Sequence, residues 1–111
     1  MNIVVLRGTL SSEPRERLLP SGTVVTNWEV TTRVEGKAQS VPVQWDTPTA
    51  AIRACSEGDE VVVTGRVRRR FFRAGGATAS RTEVVASAFA RPGQKVALAK
   101  LLERAAEQLG S

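Results

Sequence analysis

The chain has 111 residues, 41 per cent hydrophobic and 24 per cent charged, which are ordinary values for one globular domain of modest size. It contains no histidine and one cysteine, Cys55, which excludes a zinc finger, a histidine-dependent catalytic triad and an intramolecular disulfide. Sixteen basic residues against eleven acidic ones give a net charge of +5, and thirteen of the sixteen are arginine. Arginine pairs with phosphate and stacks on flat rings, so this composition favours a nucleic acid as partner.

Three strands are predicted in the first half of the chain. Residues 3–10 are rich in β-branched side chains, and residues 23–34 alternate between apolar and polar ones. Residues 39–45 form the third strand, where Pro42 predicts an edge position or a bulge because proline has no N–H to donate. The polar residues 11–20, which contain two prolines, are predicted to be a loop.

The second half of the chain predicts a short helix followed by two strands. Residues 47–56 are predicted to be helical, with Thr47 as the N-cap, and residues 60–73 and 81–90 are predicted strands separated by a Gly-Gly turn. Three strands, a short helix and two more strands are the order of an OB-fold, a five-stranded Greek-key barrel. We therefore expect an all-β domain over residues 1–92.

A separate segment, residues 93–111, follows the Pro92-Gly93 pair. Its apolar residues recur at helical spacing: Leu98, Leu101, Leu102, Ala105 and Leu109. We expect a C-terminal amphipathic helix that packs on its own barrel or pairs with the helix of a partner subunit.

The fourth predicted strand carries the side chains most typical of a nucleic-acid groove. Four of them alternate on one face: Arg66, Arg68, Arg70 and Phe72. Six arginines and no acidic residue lie between Val61 and Thr82. Cations in a row beside an aromatic ring favour a surface that binds single strands, although such a row also occurs as a solvated face or as edge protection. A bulge would reverse the alternation and expose Phe71 instead of Phe72.

Several segments in this order carry a family resemblance: Val4–Leu10, Glu13-Pro14, Pro20–Gly22, Asn27–Val30, Gly58–Val67, Phe72 and Thr82–Ala86. Through them, residues 1–90 resemble the bacterial single-stranded DNA-binding protein family. The resemblance implies an OB-fold that sheathes single-stranded DNA without strong sequence preference in replication, repair or recombination. It also implies a homotetramer, or a dimer as second choice, in the bacterial cytoplasm at the nucleoid, with no cofactor, metal, membrane contact or catalysis.

The resemblance also implies site residues. Phe72 falls where the family commonly has a stacking tryptophan, and Trp45 falls near the aromatic position that ends the third strand. The alternation of the third strand groups Trp45 with Val41 and Val43, so a core role for it stays open, while Trp28 is expected in the core. The predicted DNA contacts are Phe72, Trp45, Arg66, Arg68, Arg70, Arg33, Arg17 and Arg73.

Two departures from the family keep other functions open. Residues 34–39 lack aromatic residues found in the best-known members, and the chain lacks the acidic tip that recruits enzymes, so recruitment by such a tip is not expected. A protein-interaction module of the primosomal replication protein B type and an RNA-binding OB module are the alternatives. An enzyme is not expected, because the candidate carboxylates are scattered over helix ends and a turn: Asp46, Glu57, Asp59 and Glu60.

Overall fold

The structure is a computed structural model that describes residues 1–110 and leaves Ser111 outside the described part. Its elements in chain order are β1 (Val4–Leu10), β2 (Arg15–Leu18), β3 (Val24–Val34), β4 (Lys37–Trp45), α1 (Ala50–Arg53), β5 (Glu60–Ala74), β6 (Ala77–Ala90) and α2 (Lys95–Gly110).

Five of the six strands close into a barrel. The sheet runs in the order β1-β5-β6-β4-β3-β2, and β1 also pairs with β3, which joins the two ends of the five-stranded ring. All pairings are antiparallel except the short parallel contact between β4 and β6 at Val43 and Gln44. This closed order, with α1 between β4 and β5, is that of an OB-fold. The predicted all-β barrel with a C-terminal helix is confirmed.

Strand β2 was not predicted, because its residues lie in the stretch expected to be a loop. It pairs with the first half of β3, from Arg15 opposite Asn27 to Leu18 opposite Val24. The end of β1 pairs with a later part of β3, at Leu10 opposite Val30, so β2 continues the same edge after a short break. This four-residue segment has no strand pattern of its own, and it is extended because it pairs with β3.

Helix α1 is shorter than predicted and begins later. It has one turn, and its N-cap is Thr49, whose side-chain oxygen accepts a hydrogen bond from the Ile52 N–H at 3.4 Å. The prediction that Thr47 caps the helix is therefore wrong. Ile52 and Cys55 are buried in the barrel core, and Ile52 anchors the short turn there.

Three aromatic rings form the centre of the core. The ring centroids of Trp28 and Trp45 are 5.2 Å apart, and Phe89 lies 5.2 Å from Trp28 and 5.8 Å from Trp45, all in edge-to-face contact. Trp45 is 4 per cent exposed, so the core alternative for this residue is the one the structure shows. Trp28 is 2 per cent exposed, as the sequence predicts.

Helix α2 packs on the outside of β5 and β6. Leu101 is buried with Val62 and Ala90, and Leu98 packs beside them. Leu102 and Leu109, which belong to the same predicted stripe, stay largely exposed. The helix therefore covers its own barrel with part of its apolar surface. Within residues 1–110, no helix is long and apolar enough to cross a membrane.

Candidate nucleic-acid interface

Strands β5 and β6 extend beyond the barrel as a two-stranded ribbon, residues 68–83. Strand β1 pairs with β5 only as far as Gly65, and β4 pairs with β6 only at Val84 and Val85. From Arg68 opposite Glu83 to Ala74 opposite Ala77, the two strands pair only with each other. At about 3.3 Å per residue the ribbon reaches about 23 Å from the barrel. It turns at two glycines with positive φ, the backbone of a tight hairpin turn.

The outer part of the ribbon is open to solvent on both faces, whereas Glu83 at its base is buried. One face carries Arg68, Arg70 and Phe72, and the other carries Arg69, Phe71 and Arg73. The extra residue of the β-bulge lies on β6, at Ser87 near the barrel, so the alternation along β5 is not reversed. Phe72 is 42 per cent exposed and Phe71 is 67 per cent exposed. The alternation along β5 predicted one outward ring, Phe72, and the structure exposes Phe71 as well, because neither face is covered at this distance from the barrel.

A groove of about 920 Å³ lies between the base of the ribbon and the β2–β3 corner. Its floor includes Val25 and Gln44, and the ribbon contributes residues 68–71 to one wall. The remaining lining residues come from β2, the β2–β3 corner and the end of β4: Arg17, Leu19, Pro20, Ser21, Thr23 and Asp46. Four arginines and one acidic residue line this space, which gives it a positive charge. Its position, on the β3–β4 face beside the two flanking connections, is where OB-folds bind oligonucleotides.

A buried carboxylate neutralises part of the arginine row. Glu83 is 3 per cent exposed, and its two oxygens face Arg68 Nη2 at 2.5 Å and Arg70 Nη2 at 3.5 Å. A buried carboxylate needs such partners, because an unpaired one would be strongly destabilising. The acid-free interval in the sequence ends one residue before Glu83. Arg68 and Glu83 lie the same number of residues before and after the Gly-Gly turn, so a hairpin centred on that turn places them opposite each other. This symmetry is the sequence signal for the pair.

Two arginines occupy opposed positions of the ribbon. Arg70 lies directly opposite Arg81, and Arg81 makes no ion pair within residues 1–110. Like charges at opposed positions of an antiparallel pair destabilise it. Glu83 offsets part of this repulsion at Arg70, and the ring of Phe72, whose centroid lies 5.9 Å from the Arg70 guanidinium carbon, makes a cation–π contact with the same side chain.

The other predicted contact residues divide among several places. Arg17 lines the groove and donates to Gln44 Oε1 at 3.3 Å, and Arg73 lies near the tip of the ribbon. Arg66 lies in a small pocket beside α2, and Arg33 lines a separate hollow with Arg7. The groove and ribbon thus unite Arg17, Arg68, Arg70, Arg73 and Phe72, but not Arg66 or Arg33. They also include Arg69, Phe71 and Arg81, which the sequence did not single out as contacts.

Trp45 does not belong to this surface. Its ring is enclosed by Trp28 and Phe89, so it offers no free face on which a base can stack. The structure therefore places Trp45 in the core, the alternative left open by the sequence, and not on the surface where it was predicted to contact DNA. The physical reason is the side-chain alternation of β4, which turns Val43 and Trp45 inward and Gln44 outward.

The only cysteine lies away from the groove, beside α1. Burial raises the pKa of the Cys55 thiol, although Arg91 Nη2 lies 3.8 Å from its sulfur. The Ser56 N–H, at 2.9 Å, and the Arg91 guanidinium, at 3.1 Å, lower the pKa of Asp59. These groups bind one another, and residues 1–110 contain no cluster of three metal-binding side chains.

No protein-family model matches the chain, and no curated protein is significantly similar to it. The fold and the chemistry of the groove and ribbon are therefore the basis for assigning a function.

Proposed function

We propose that this protein binds single-stranded DNA, largely without sequence preference, and sheathes it during replication, repair or recombination. The observation that carries the proposal is the ribbon, which holds two exposed phenyl rings among paired and unpaired arginines at the edge of a positively charged groove. Rings that stack on bases and cations that follow phosphates are what a single strand requires.

The shape of the site favours a single strand over a duplex. The only internal helix has four residues and one basic side chain, Arg53, which is engaged with Glu16 at 2.9 Å. A two-stranded ribbon can also enter the major groove of a duplex, where it presents polar side chains to base edges. Exposed phenyl rings instead suit unpaired bases, because a base within a duplex is already stacked on both sides.

The proposal includes no catalytic step. The protein would act by covering the strand and preventing re-pairing, as a homo-oligomer in which several ribbons contact one strand. Assembly would increase affinity because each additional site on the same strand binds at a high effective concentration.

The direct test is a binding titration with labelled oligo(dT), followed by fluorescence anisotropy at low and moderate salt. We expect salt-sensitive binding that duplex DNA does not compete away. Because both tryptophans are buried in the core, their fluorescence should change little on binding. Absence of binding at low salt would contradict the proposal, and equal or tighter binding of oligo(U) would favour the RNA-binding alternative.

One observation favours a second function, the protein-interaction module. Helix α2 exposes three apolar side chains, Val96, Leu102 and Leu109, away from the barrel. Changing Leu102 and Leu109 to glutamate would abolish partner binding in that case and leave oligonucleotide binding unchanged. Loss of oligonucleotide binding in this variant, with the fold intact, would instead connect α2 to the strand site.

A further inference from the structure

One end of the groove floor holds an ordered row of polar side chains. Arg17 donates to Gln44 Oε1 at 3.3 Å, and Gln44 donates in turn to Asp46 Oδ1 at 2.8 Å. Gln44 is 5 per cent exposed, so it is held firmly between these partners. The amide thereby fixes the orientation of the Asp46 carboxylate, which is 44 per cent exposed at its side chain.

Arginine 68 completes this row. Its Nη1 lies 3.7 Å from Asp46 Oδ2, while its Nη2 is held by the buried Glu83. The guanidinium is thus fixed beside the carboxylate and keeps N–H groups that the contact with Glu83 does not use. Read from Arg68 to Asp46, the row presents one hydrogen-bond donor followed by two carboxylate acceptors.

This order of groups is complementary to one nucleic-acid base. The Watson–Crick edge of guanine presents an acceptor, O6, followed by two donors, N1–H and the N2 amino group. Thymine matches the first two positions and opposes an acceptor with an acceptor at the third. Adenine and cytosine present a donor first, where the arginine also donates, and an acceptor next, where the carboxylate also accepts. A guanine is the base that this row fits.

The walls beside the row suit a flat ring. Leu19 and Pro20 line the groove, and Phe71, which is 67 per cent exposed, borders it from the ribbon face opposite Arg68. Unpaired bases in single strands are commonly held by stacking while their Watson–Crick edge forms hydrogen bonds. The groove provides both kinds of contact next to each other.

The negative charge of Asp46 also indicates that this part of the groove faces a base and not a phosphate. A carboxylate in a groove that only followed phosphates would repel them, whereas a carboxylate that faces a base edge accepts its N–H groups. We infer that the groove contains a base subsite selective for guanine, in which Arg68 binds O6 and Asp46 accepts from N1–H and N2–H. This inference rests on the proposed binding of single strands and adds one preferred position to it.

The test compares short labelled oligo(dT) strands that carry one central dG, dI, dA or no substitution. We expect the dG strand to bind at least about fivefold more tightly than the dA strand, the lower limit for a bidentate base contact. The oligo(dT) strand should lie between them. The dI strand should bind less tightly than the dG strand, because its base, hypoxanthine, lacks the N2 amino group.

The matched variants are Asp46→Asn and Glu29→Gln. Both remove one negative charge from the outward face of the β3–β4 sheet, but Glu29 does not line this groove and makes no ion pair within residues 1–110. Asp46→Asn should abolish the preference for dG over dA, and Glu29→Gln should retain it. A preference that survives Asp46→Asn would overturn the inference.

The remaining outcomes separate this inference from the proposed function. Binding of oligo(dT) with no preference for the dG strand would overturn the guanine subsite alone. Failure of every strand to bind would overturn both. Competition with free GMP distinguishes a guanine within a strand from a free guanine nucleotide. Displacement of the dG strand by GMP at a similar concentration would assign the site to the free nucleotide. That result would overturn a strand subsite.

Discussion

The aromatic residues of this protein divide between two regions with opposite surroundings. Trp28, Trp45 and Phe89 pack edge to face inside the barrel, whereas Phe71 and Phe72 are exposed on the outer part of the ribbon. Burying the first three stabilises the fold, because the rings leave water and contact one another. Exposed rings on a hairpin contribute little to stability, so the barrel rings stabilise the fold and the ribbon rings stay available to the proposed strand.

The largest expected effect is in the barrel. Trp45→Ala should lower the free energy of unfolding by about 3–5 kcal/mol, because it removes a buried ring and leaves a cavity. Urea denaturation followed by circular dichroism measures this directly. A loss below about 1 kcal/mol, the size typical of a surface change, would show that Trp45 is not a core residue.

On the ribbon the same kind of truncation should act on affinity. Replacing Phe71 and Phe72 with alanine should weaken oligo(dT) binding by about 1–3 kcal/mol for each stacked base. The free energy of unfolding should change by less than about 0.5 kcal/mol, because both rings are exposed. Anisotropy titration and urea denaturation of the same samples give the two values. Unchanged affinity in the double variant would remove the ribbon from the strand site.

A smaller effect distinguishes the free arginines of the ribbon from the paired ones. Arg69, Arg73 and Arg81 make no ion pair within residues 1–110, whereas Arg68 and Arg70 share Glu83. Replacing the first three with alanine should flatten the slope of log affinity against log salt by about 0.7 for each lost phosphate contact.

The matched control is Arg104→Ala on α2, an exposed arginine remote from the groove lining. It should leave the slope unchanged. If the control flattens the slope as much per arginine as the triple variant, the effect comes from net charge and not from contacts on the ribbon.

The smallest effect concerns pH and lies near α1. Hydrogen bonding from Ser56 and the Arg91 guanidinium lower the pKa of Asp59 from its usual 3.8. A carboxyl whose pKa is lower in the folded state stabilises the fold above the unfolded pKa, and this stabilisation is lost as the pH falls through the folded value. Asp59→Asn should therefore reduce stability slightly at pH 7 and make the melting temperature less dependent on pH below about 4. An unchanged acid dependence would contradict this role.

Much of the fold could be predicted from the sequence because its signals are local. β-Branched residues identified β1, side-chain patterns identified β3, β4, β5 and β6, and the Gly75-Gly76 pair located the ribbon turn. The helical spacing of Leu98, Leu101 and Ala105 predicted α2. By contrast, β2 carries no such pattern, and its extended form depends on pairing with β3.

Composition and alternation are properties of the chain alone, and they were enough to predict a basic, histidine-free β-barrel with a row of arginines beside phenylalanine. Which of these side chains meet depends on the folded arrangement. The turn of the ribbon places Glu83 against Arg68, and the inward face of β4 buries Trp45. The end of that strand brings Asp46 beside the same arginine. These contacts join residues that are distant in the chain, and strand register and barrel closure, which depend on all the strands together, bring them into contact.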